Sequence, residues 1–236
     1  MRKVCAKLVP KLLTEEQKAN QVLIASELKE RVEIEPHYLD CVITGDETWT
    51  FEYDPKTKRQ SAEWHTSASP KPKKAKMRKS KVKTMLIVVF DVKGVVHKEF
   101  LPQGQTVNAP YYVNVLQGLR KRVIRVRKDI TANWRLHHDN APRHTSLLVR
   151  EFLAKHHVVT LPQPPYSPDL VPADFFLFPR IKTALKGRRF ESIQAIQAAV
   201  TTALNEVPVE AFEGVYRAWE SRWKKCVDAH GQYFEE

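Results

Sequence analysis

The sequence has few of the residues that mark a disulfide-stabilised, zinc-binding or membrane-spanning protein. Its three cysteines, Cys5, Cys41 and Cys226, are far apart and lack the spacing of a zinc site. An odd, scattered set of cysteines is typical of a reducing intracellular compartment. No run of 18 apolar residues occurs, and the N-terminus lacks the apolar segment of a signal peptide. We therefore expect a soluble intracellular protein without structural disulfides and without a membrane partner.

Glycine and acidic residues are also scarce. Seven glycines in 236 residues, with no low-complexity tract and 42% hydrophobic residues, argue against disorder and allow one large domain or two small ones. The 39 Lys and Arg residues outnumber the 27 Asp and Glu residues, which gives a net charge of +12. Such a balance favours a polyanionic partner such as nucleic acid, although charge alone is also compatible with a merely basic soluble protein.

Much of this positive charge is concentrated between residues 54 and 83. The segment contains eleven Lys and Arg residues and, after Asp54 at its start, a single acid, Glu63. The prolines at positions 70 and 72 exclude a regular helix or strand there. A long loop inside a compact domain is usually functional or disordered, so a DNA-binding loop and a solvated loop both remain open. The candidate DNA-binding residues in this loop are Lys71, Lys73, Lys74, Lys76, Arg78 and Lys79.

The remaining sequence alternates between strand and helix patterns. A capping box at Thr14 predicts a first helix with Leu23, Ile24, Leu28 and Val32 on its buried stripe, and Asn108 caps a helix that ends in basic residues. Among these, Arg120 and Arg122 complement the helix dipole and are also candidates for phosphate contact. Strands are predicted at about Tyr38–Tyr53, Met85–Phe90, Val95–Phe100, Trp134–Asp139 and Val158–Leu161. Further helices are predicted at Ser146–His157, after Asp174, after Ser192 and from Val209. The helix at Ser146–His157 is amphipathic through Leu147, Leu148, Phe152 and Leu153. The order predicts an α/β domain whose mixed central sheet is flanked by helices.

Three aspartates lie within a predicted strand, at the end of a strand and at the start of a helix. Asp46 follows Gly45 inside a strand pattern, where a turn residue is the alternative interpretation. Asp139 ends the strand that contains His137 and His138. Asp174 opens a helix, where a simple N-cap is the alternative. Three carboxylates held on rigid elements are what a two-magnesium phosphoryl-transfer site requires, because hard cations prefer oxygen ligands.

The motifs around these aspartates carry a family resemblance. Thr44–Trp49 (Thr-Gly-Asp-Glu-Thr-Trp), His138–His144 (His-Asp-Asn-Ala-Pro-Arg-His) and Tyr166–Asp174 (Tyr-Ser-Pro-Asp-Leu-Val-Pro-Ala-Asp) resemble the catalytic domain of mariner-family transposases. That family has two aspartates and then a third after 34 residues, and Asp139 and Asp174 are separated by 34 residues. The resemblance extends from about Val9 to the C-terminus.

The resemblance implies a ribonuclease H-like fold and an enzyme that cleaves DNA at transposon ends and transfers the strands into a TA target. It implies two Mg²⁺ ions, replaceable by Mn²⁺, held by Asp46, Asp139 and Asp174, with Glu47 and Asn140 flanking these ligands. It also implies a homodimer on double-stranded DNA in the nucleus, in which the 54–83 segment is a clamp loop that reaches the other subunit.

The resemblance also predicts how the chain is divided. Residues 1–35 are expected to form an interdomain linker and first helix, and residues 36–236 a catalytic domain with the 54–83 loop inserted. The N-terminal DNA-binding domain of the family is expected to be missing. In the family a Trp-Val-Pro-His-type motif in the linker helps dimerisation, and Leu8–Leu13 departs from it, which leaves dimerisation open.

Three other functions are compatible with parts of the sequence. A transposase relic that only binds DNA without sequence specificity would keep the basic loop, although the presence of all three aspartates counts against it. A ribonuclease acting on RNA–DNA hybrids is disfavoured by the basic loop and by the residues that make up the three motifs. A zinc site at His137, His138 and His144 is disfavoured because the first two point to opposite faces of a strand.

Overall fold

A mixed five-stranded sheet forms the centre of the chain. The computed structural model describes residues 9–66, 69–70 and 72–234. The strands are β1 (Val42–Phe51), β2 (Lys83–Asp91), β3 (Gly94–Phe100), β4 (Arg135–His137) and β5 (Val159–Leu161), in the spatial order β3-β2-β1-β4-β5. The first three pair antiparallel, whereas β4 pairs parallel to β1 and β5 parallel to β4. The prediction of a mixed sheet that begins with a meander is confirmed.

Helices cover both faces of this sheet. They are α1 (Glu15–Ile34), α2 (Ala109–Val126), α3 (Leu147–Lys155), α4 (Phe178–Leu185), α5 (Ile193–Asn205) and α6 (Val209–Asp228). One core contains α2 and α3 residues packed on Ile43 and Val89, and the other contains α1, α4, α5 and α6 residues packed on Val42 and Val88. Neighbouring strand residues serve opposite cores because side chains alternate across a sheet. The α/β prediction with flanking helices is therefore confirmed.

The helix starts follow from local sequence. Thr14 and Gln17 form a reciprocal capping box at α1, with each side chain bonded to the other residue's backbone N–H. The side chains of Asn108, Ser146 and Ser192 accept from backbone N–H groups at the starts of α2, α3 and α5. These contacts satisfy donors that have no partner inside the helix.

The predicted buried stripes of α1 and α3 are partly wrong. On α1, Leu23 is 57% exposed, and the buried residues are Gln21, Ala25 and Leu28. On α3, Leu147 is 64% exposed and Leu148 is also exposed, whereas Val149 and Leu153 are buried. Both helices contain more apolar residues than one contact face can cover, so periodicity alone did not identify the face that packs.

Several element bounds also differ from the predictions. Tyr38–Cys41 form a 3-10 turn, so the first strand starts at Val42. The strand before Asp139 ends at His137, which places Asp139 in the following loop. The helix predicted after Asp174 starts late: Ala173–Leu177 form a π-helical turn, and α4 starts at Phe178 with Pro179 in its first turn.

The segment between β1 and β2 contains little regular structure. Among its described residues the only helix or strand is a 3-10 turn at Arg59–Ser61. Lys74 Nζ donates to Lys56 O at 2.8 Å and to Ser61 Oγ at 2.6 Å, which ties two parts of the loop together. Trp64 is fully exposed, and Lys71 lies outside the described residues. The loop is therefore held to itself at one point and presents an aromatic side chain to solvent.

Helix α1 belongs to the same core as the sheet. Its residues Ala25 and Leu28 are buried in the cluster that contains Trp219 and Trp223 of α6. The division at residue 35 stays a prediction, but it does not coincide with a break in the core. Of the altered linker motif, Leu8 lies outside the described residues. None of the described helices is both long and apolar enough to cross a bilayer.

The burial difference along α3 is testable with a matched pair of leucines. Leu153→Ala should lower the free energy of unfolding by about 2–5 kcal/mol, because it deletes a buried side chain. Leu147→Ala on the same helix should change it by less than about 0.5 kcal/mol. Urea unfolding followed by circular dichroism measures both. Equal effects would show that α3 packs through a different face.

Candidate metal and active site

The three predicted aspartates converge on one cleft. Thr44 of β1 pairs with His137 of β4, and the strands run parallel, so the residues two positions further on, Asp46 and Asp139, emerge at the same level. Asp174 comes from the π-helical turn before α4. All three line a cleft of about 430 Å³. Asp46 and Asp139 are 93 positions apart, and Asp139 and Asp174 are separated by 34 residues. The parallel pairing and the crossover that follows it thus bring all three to one site.

Two of these carboxylates are held in an unfavourable environment. Burial, and then the charge of Asp174, raises the pKa of Asp46 to about 8. Burial also raises the pKa of Asp174. The charge of Lys182 lowers this pKa, and the charge of Asp139 raises it by a smaller amount. A buried carboxylate without a compensating cation is costly, and like charges add to that cost. The cleft therefore has the electrostatic character of a site that attracts a cation.

Asp139 is stabilised by a histidine from its own motif. His144 Nδ1 lies 2.5 Å from Asp139 Oδ1, and His144 Nε2 lies 3.1 Å from Glu47 Oε1. Burial raises the pKa of Asp139, but the hydrogen bond and charge of His144 outweigh it and hold that pKa at about 2. Burial lowers the pKa of His144, but the two carboxylates raise it to about 9. His144 is therefore a cation that fixes the Asp139 carboxylate.

A second layer of contacts fixes His144 itself. The Tyr112 ring of α2 lies 3.9 Å from the His144 ring, and the His138 ring stacks on it at 5.1 Å. Tyr112 Oη is 2.9 Å from His138 Nδ1. Glu47 accepts a 2.6 Å hydrogen bond from Arg143 Nη2, and its side chain is almost fully buried. Glu47, predicted to flank the metal ligands, is thus bound to the two cations of the 139–144 segment.

The far wall of the cleft depends on a glutamine. Gln163 Oε1 lies 2.7 Å from His137 Nε2, and Gln163 Nε2 donates to Ser167 O at 3.2 Å. Asn140, the other predicted flanking residue, lines the cleft and donates to Gln163 O. These bonds tie the proline-rich 162–168 segment to the strand that precedes Asp139. Pro10 completes the wall near Tyr166, over whose ring Lys11 Nζ lies at 4.3 Å.

Sequence reasoning missed three side chains that act on the cleft. His144 was considered only as a zinc ligand, although its place five residues after Asp139 in one tight segment was the available signal. Gln163 carried no signal. Lys182 of α4 lies two helical turns after Asp174. Burial lowers its pKa, and the nearby charges are those of Asp174, Lys79 and Asp46.

The predicted DNA-binding residues are distributed over two regions. Lys73, Lys74, Lys76, Arg78 and Lys79 are exposed on the loop between β1 and β2. Lys79 forms a 3.4 Å ion pair with Asp54. Its charge also acts on Lys182, so the end of the loop lies close to the cleft. Arg122 of α2 donates through Nε to Val96 O at 3.3 Å, whereas Arg120 is close to His156 instead.

The cleft residues fit divalent metal ions in donor chemistry. Asp46, Asp139 and Asp174 offer only oxygen ligands, which Mg²⁺ and Mn²⁺ prefer. As the side chains stand, no group of three acidic, histidine or cysteine residues in the described ranges is arranged to hold a metal ion. Asp139 is turned to His144, and Asp46 carries repulsion that a cation would relieve. The charge environment thus supports metal binding, while the ligand role of each aspartate stays a prediction.

Comparison with known proteins assigns the family. A model described as "Transposase (partial DDE domain)" matches residues 54–132. The mariner Mos1 transposase of Drosophila mauritiana is 34% identical over 204 residues, which are 84% of this chain and 57% of that protein. Solved structures of the Mos1 paired-end complex with Mn and with Mg superpose with a TM-score of 0.89 at 33% identity, covering 100% of this chain and 68% of theirs.

This chain belongs to the mariner family of transposases. The structural match also confirms the predicted ribonuclease H-like fold. The mariner likeness extends to a human protein named histone-lysine N-methyltransferase SETMAR, 32% identical over 97% of this chain and 33% of that protein. The chain thus spans about half, or less, of the length of these two relatives.

The strained charge of Asp46 predicts an effect on stability. Asp46→Asn keeps the side-chain size but removes an ionisable group that must take up a proton on folding, because its pKa rises to about 8. At pH 7 in EDTA it should therefore raise the free energy of unfolding by at least about 1 kcal/mol, since one pKa unit corresponds to about 1.4 kcal/mol. Saturating Mn²⁺ should raise the Tm of the unmodified protein and not that of the variant. Thermal unfolding with and without Mn²⁺ measures both effects.

Asp169 provides the matched control, because it lies in the neighbouring 3-10 turn and does not line the cleft. Asp169→Asn should retain the Mn²⁺ response and gain no stability. If Asp46→Asn proves no more stable than the unmodified chain, the repulsion described above is absent.

Proposed function

We propose that this chain is the catalytic domain of a DNA transposase that cleaves and transfers DNA strands with the help of divalent metal ions. The observation that carries the proposal is the convergence of Asp46, Asp139 and Asp174 from three separate elements on one electrostatically strained cleft. Membership of the mariner family supports the same reaction.

Asp46, Asp139 and Asp174 would hold two Mg²⁺ ions, and Mn²⁺ would substitute. Support comes from the oxygen-only donor set and from the Mos1 structures described as complexes with Mn and with Mg. Bound there, such ions supply Lewis-acid activation of a water or 3′-hydroxyl and stabilisation of the leaving oxygen.

The protein's own contribution is positioning and charge. His144 fixes the Asp139 carboxylate, and Glu47 with Arg143 fixes His144. Gln163 and Asn140 hold the proline-rich wall beside Asp139. Lys182 places a positive charge beside Asp174, where a DNA phosphate would enter. Catalysis of phosphoryl transfer depends mainly on such positioning and electrostatic stabilisation.

The finer points of the function rest on the family. We propose double-stranded transposon ends and a TA target as substrates, action as a homodimer on DNA, and a nuclear location. The basic loop would act as a clamp on the second subunit or on DNA. The Mos1 relative is described in a paired-end complex, which supports assembly of this kind.

The decisive experiment is metal-dependent nicking of duplex DNA. Asp46→Asn, Asp139→Asn and Asp174→Asn should each reduce Mn²⁺- or Mg²⁺-dependent nicking to background while leaving the circular dichroism spectrum unchanged. Asp169→Asn, the matched carboxylate outside the cleft, should keep full activity. Near-normal nicking by any of the three cleft variants would remove that residue from the ligand set.

A second candidate function is DNA binding without catalysis. The similarity to part of a human methyltransferase-named protein favours it, because it places a region of this kind inside a larger protein named for a different activity. The same nicking assay separates the two, since a relic binds duplex DNA but never cuts it. Replacing the duplex with an RNA–DNA hybrid tests the ribonuclease alternative.

The role of the basic loop is testable through the salt dependence of duplex binding. Each phosphate contact contributes about 0.9 to the slope of log K against log salt concentration. Replacing Lys73, Lys76 and Arg78 with Gln should therefore lower the slope by about 2–3 if all three contact phosphates. Lys74 is left in place because it ties the loop together.

The matched control removes the same charge from an exposed face elsewhere. Arg217, Lys224 and Lys225 are exposed on α6, and their replacement with Gln should leave the slope within experimental error. A slope unchanged in the loop variant would show that the loop is solvated or contacts protein.

A further inference from the structure

A second cleft lies at the edge of the sheet and is separate from the aspartate cleft. Its volume is about 570 Å³, and it shares no lining residue with the aspartate cleft. It lies between the edge strand β3, helix α2 and the C-terminal end of α5. Its lining includes Lys98 of β3, Gly118 of α2 and Asn205 of α5, together with the α2 residues Lys121, Arg122 and Arg125.

The four cations of this cleft have no acidic partner among the described residues. None of them takes part in the ion pairs between described side chains. The nearest carboxylate on the strand, Glu99, is bound to His97 at 2.7 Å, where the absent side chain of Gly118 leaves room for the pair. The positive charge of the cleft is therefore not neutralised by the protein.

The helix dipole of α2 accounts for only one of the four cations of this cleft. Arg125 lies in the last turn of α2 and complements the partial negative charge at the helix C-terminus. Lys121 and Arg122 lie a turn earlier, and Lys98 is on a strand. Burial lowers the pKa of Lys98, and no neighbouring carboxylate opposes the shift. A lysine partly removed from water without a counter-charge is one that a bound anion would stabilise.

One of the arginines is already oriented. Arg122 Nε donates to Val96 O of β3, and its terminal nitrogens make no hydrogen bond to another described residue. A guanidinium fixed on one side presents a planar pair of donors that matches a phosphate. The cleft thus combines fixed and flexible donors of the kind that bind phosphate groups.

The sheet register places this cleft close to the aspartates. Asp46 pairs with Val88, and Val88 pairs with Lys98, so the three residues lie in one row. Two strand spacings separate Asp46 from Lys98, about 10 Å between their Cα atoms. A DNA duplex covers that distance in about three base pairs. A DNA duplex that runs along this row would therefore present phosphates both to the aspartate cleft and to Lys98.

We propose that Lys98, Lys121, Arg122 and Arg125 form a second phosphate-binding site that holds the backbone of duplex DNA outside the aspartate cleft. The proposal rests on the proposed function only in taking duplex DNA as the partner. Such a site positions DNA without reading its sequence, because phosphate contacts carry no base information.

The test is the salt dependence of binding to a random-sequence duplex in EDTA. The variant Lys98→Gln, Lys121→Gln, Arg125→Gln leaves Arg122 in place because it bonds to β3. Loss of two to three phosphate contacts should lower the slope of log K against log salt by about 2–3. The control Arg217→Gln, Lys224→Gln, Lys225→Gln removes the same charge and should keep the slope of the unmodified protein.

Equal changes of the salt slope in the cleft variant and the control would mean that only net charge matters. An unchanged slope in both would mean that the cleft does not contact DNA. Each result overturns the proposal. If the triple variant does not fold, Lys121→Gln with Arg125→Gln, both exposed, should lower the slope by about 1–2.

Calorimetric titration with pyrophosphate and with poly-glutamate tests the other anions that this cleft could bind. Binding of either, lost in the cleft variant while the DNA slope is unchanged, would assign the cleft to a small phosphate or an acidic protein instead.

Binding in EDTA and metal-dependent nicking give independent answers. If the protein never nicks DNA but the salt slope falls only in the cleft variant, the second phosphate site is supported and the proposed catalysis is refuted. If the protein nicks DNA but all variants have the same salt slope, the proposed catalysis is supported and the second site is refuted.

Discussion

Repulsion between carboxylates in one partly buried cleft is the constraint on which the rest of the structure depends. Asp46 and Asp174 both lose hydration, and each acts on the charge of its neighbours. The fold offsets this cost only partly, since His144 neutralises Asp139 and Lys182 lies beside Asp174. Asp46 receives a hydrogen bond from Glu47 N at 2.7 Å but forms no ion pair with another described residue, and the charge of Lys182 acts on it only from a longer distance. A carboxyl group whose ionised form is disfavoured in this way is expected where a cation is to bind.

Holding the carboxylates together requires rigid elements, and the sheet provides them. The β1–β4 pair is short, only three residue pairs, yet it sets the relative height of Asp46 and Asp139. His137 stabilises this junction, because its ring nitrogens contact Thr44 Oγ1 at 2.9 Å and Gln163 Oε1 at 2.7 Å while its ring packs on Trp219. Burial lowers the pKa of His137 to about 4, so the ring is neutral and adds no charge to the site. The polar contacts beneath the cleft are therefore satisfied without further ions.

The sequence predicted the parts of this site that depend on local patterns. Asp46, Asp139 and Asp174 were identified from their motifs and from their strand, strand-end and helix-start positions, and the structure places all three on one cleft. The helix caps at Thr14 and Asn108 were predictable because capping is a local interaction. The ribonuclease H-like fold followed from the family resemblance more than from periodicity.

What the sequence did not predict depends on contacts between distant segments. The exposure of Leu147 and Leu23 is decided by which helix face meets the core, and both helices offered more than one apolar face. The π-helical turn before Pro179 arises because the amide of Phe178 bonds to Ala173 O, a register that no propensity scale encodes. Gln163 acts on the cleft only because the proline-rich segment returns to β4, so its sequence neighbourhood gave no signal.

The distribution of charge links the two clefts to the proposed substrate. A basic protein of net charge +12 attracts polyanions, but its acidic cleft repels the phosphate that must approach it. Under the two proposals above, cations around the cleft and at the sheet edge would lower that barrier by engaging neighbouring phosphates, while the cleft carboxylates remain available for divalent metal. A metal ion then makes the cleft attractive to phosphate only once it is bound. For the proposed DNA substrate, the expected order is therefore binding of phosphates by the peripheral cations first and approach of a phosphate to the aspartate cleft after the metal ion.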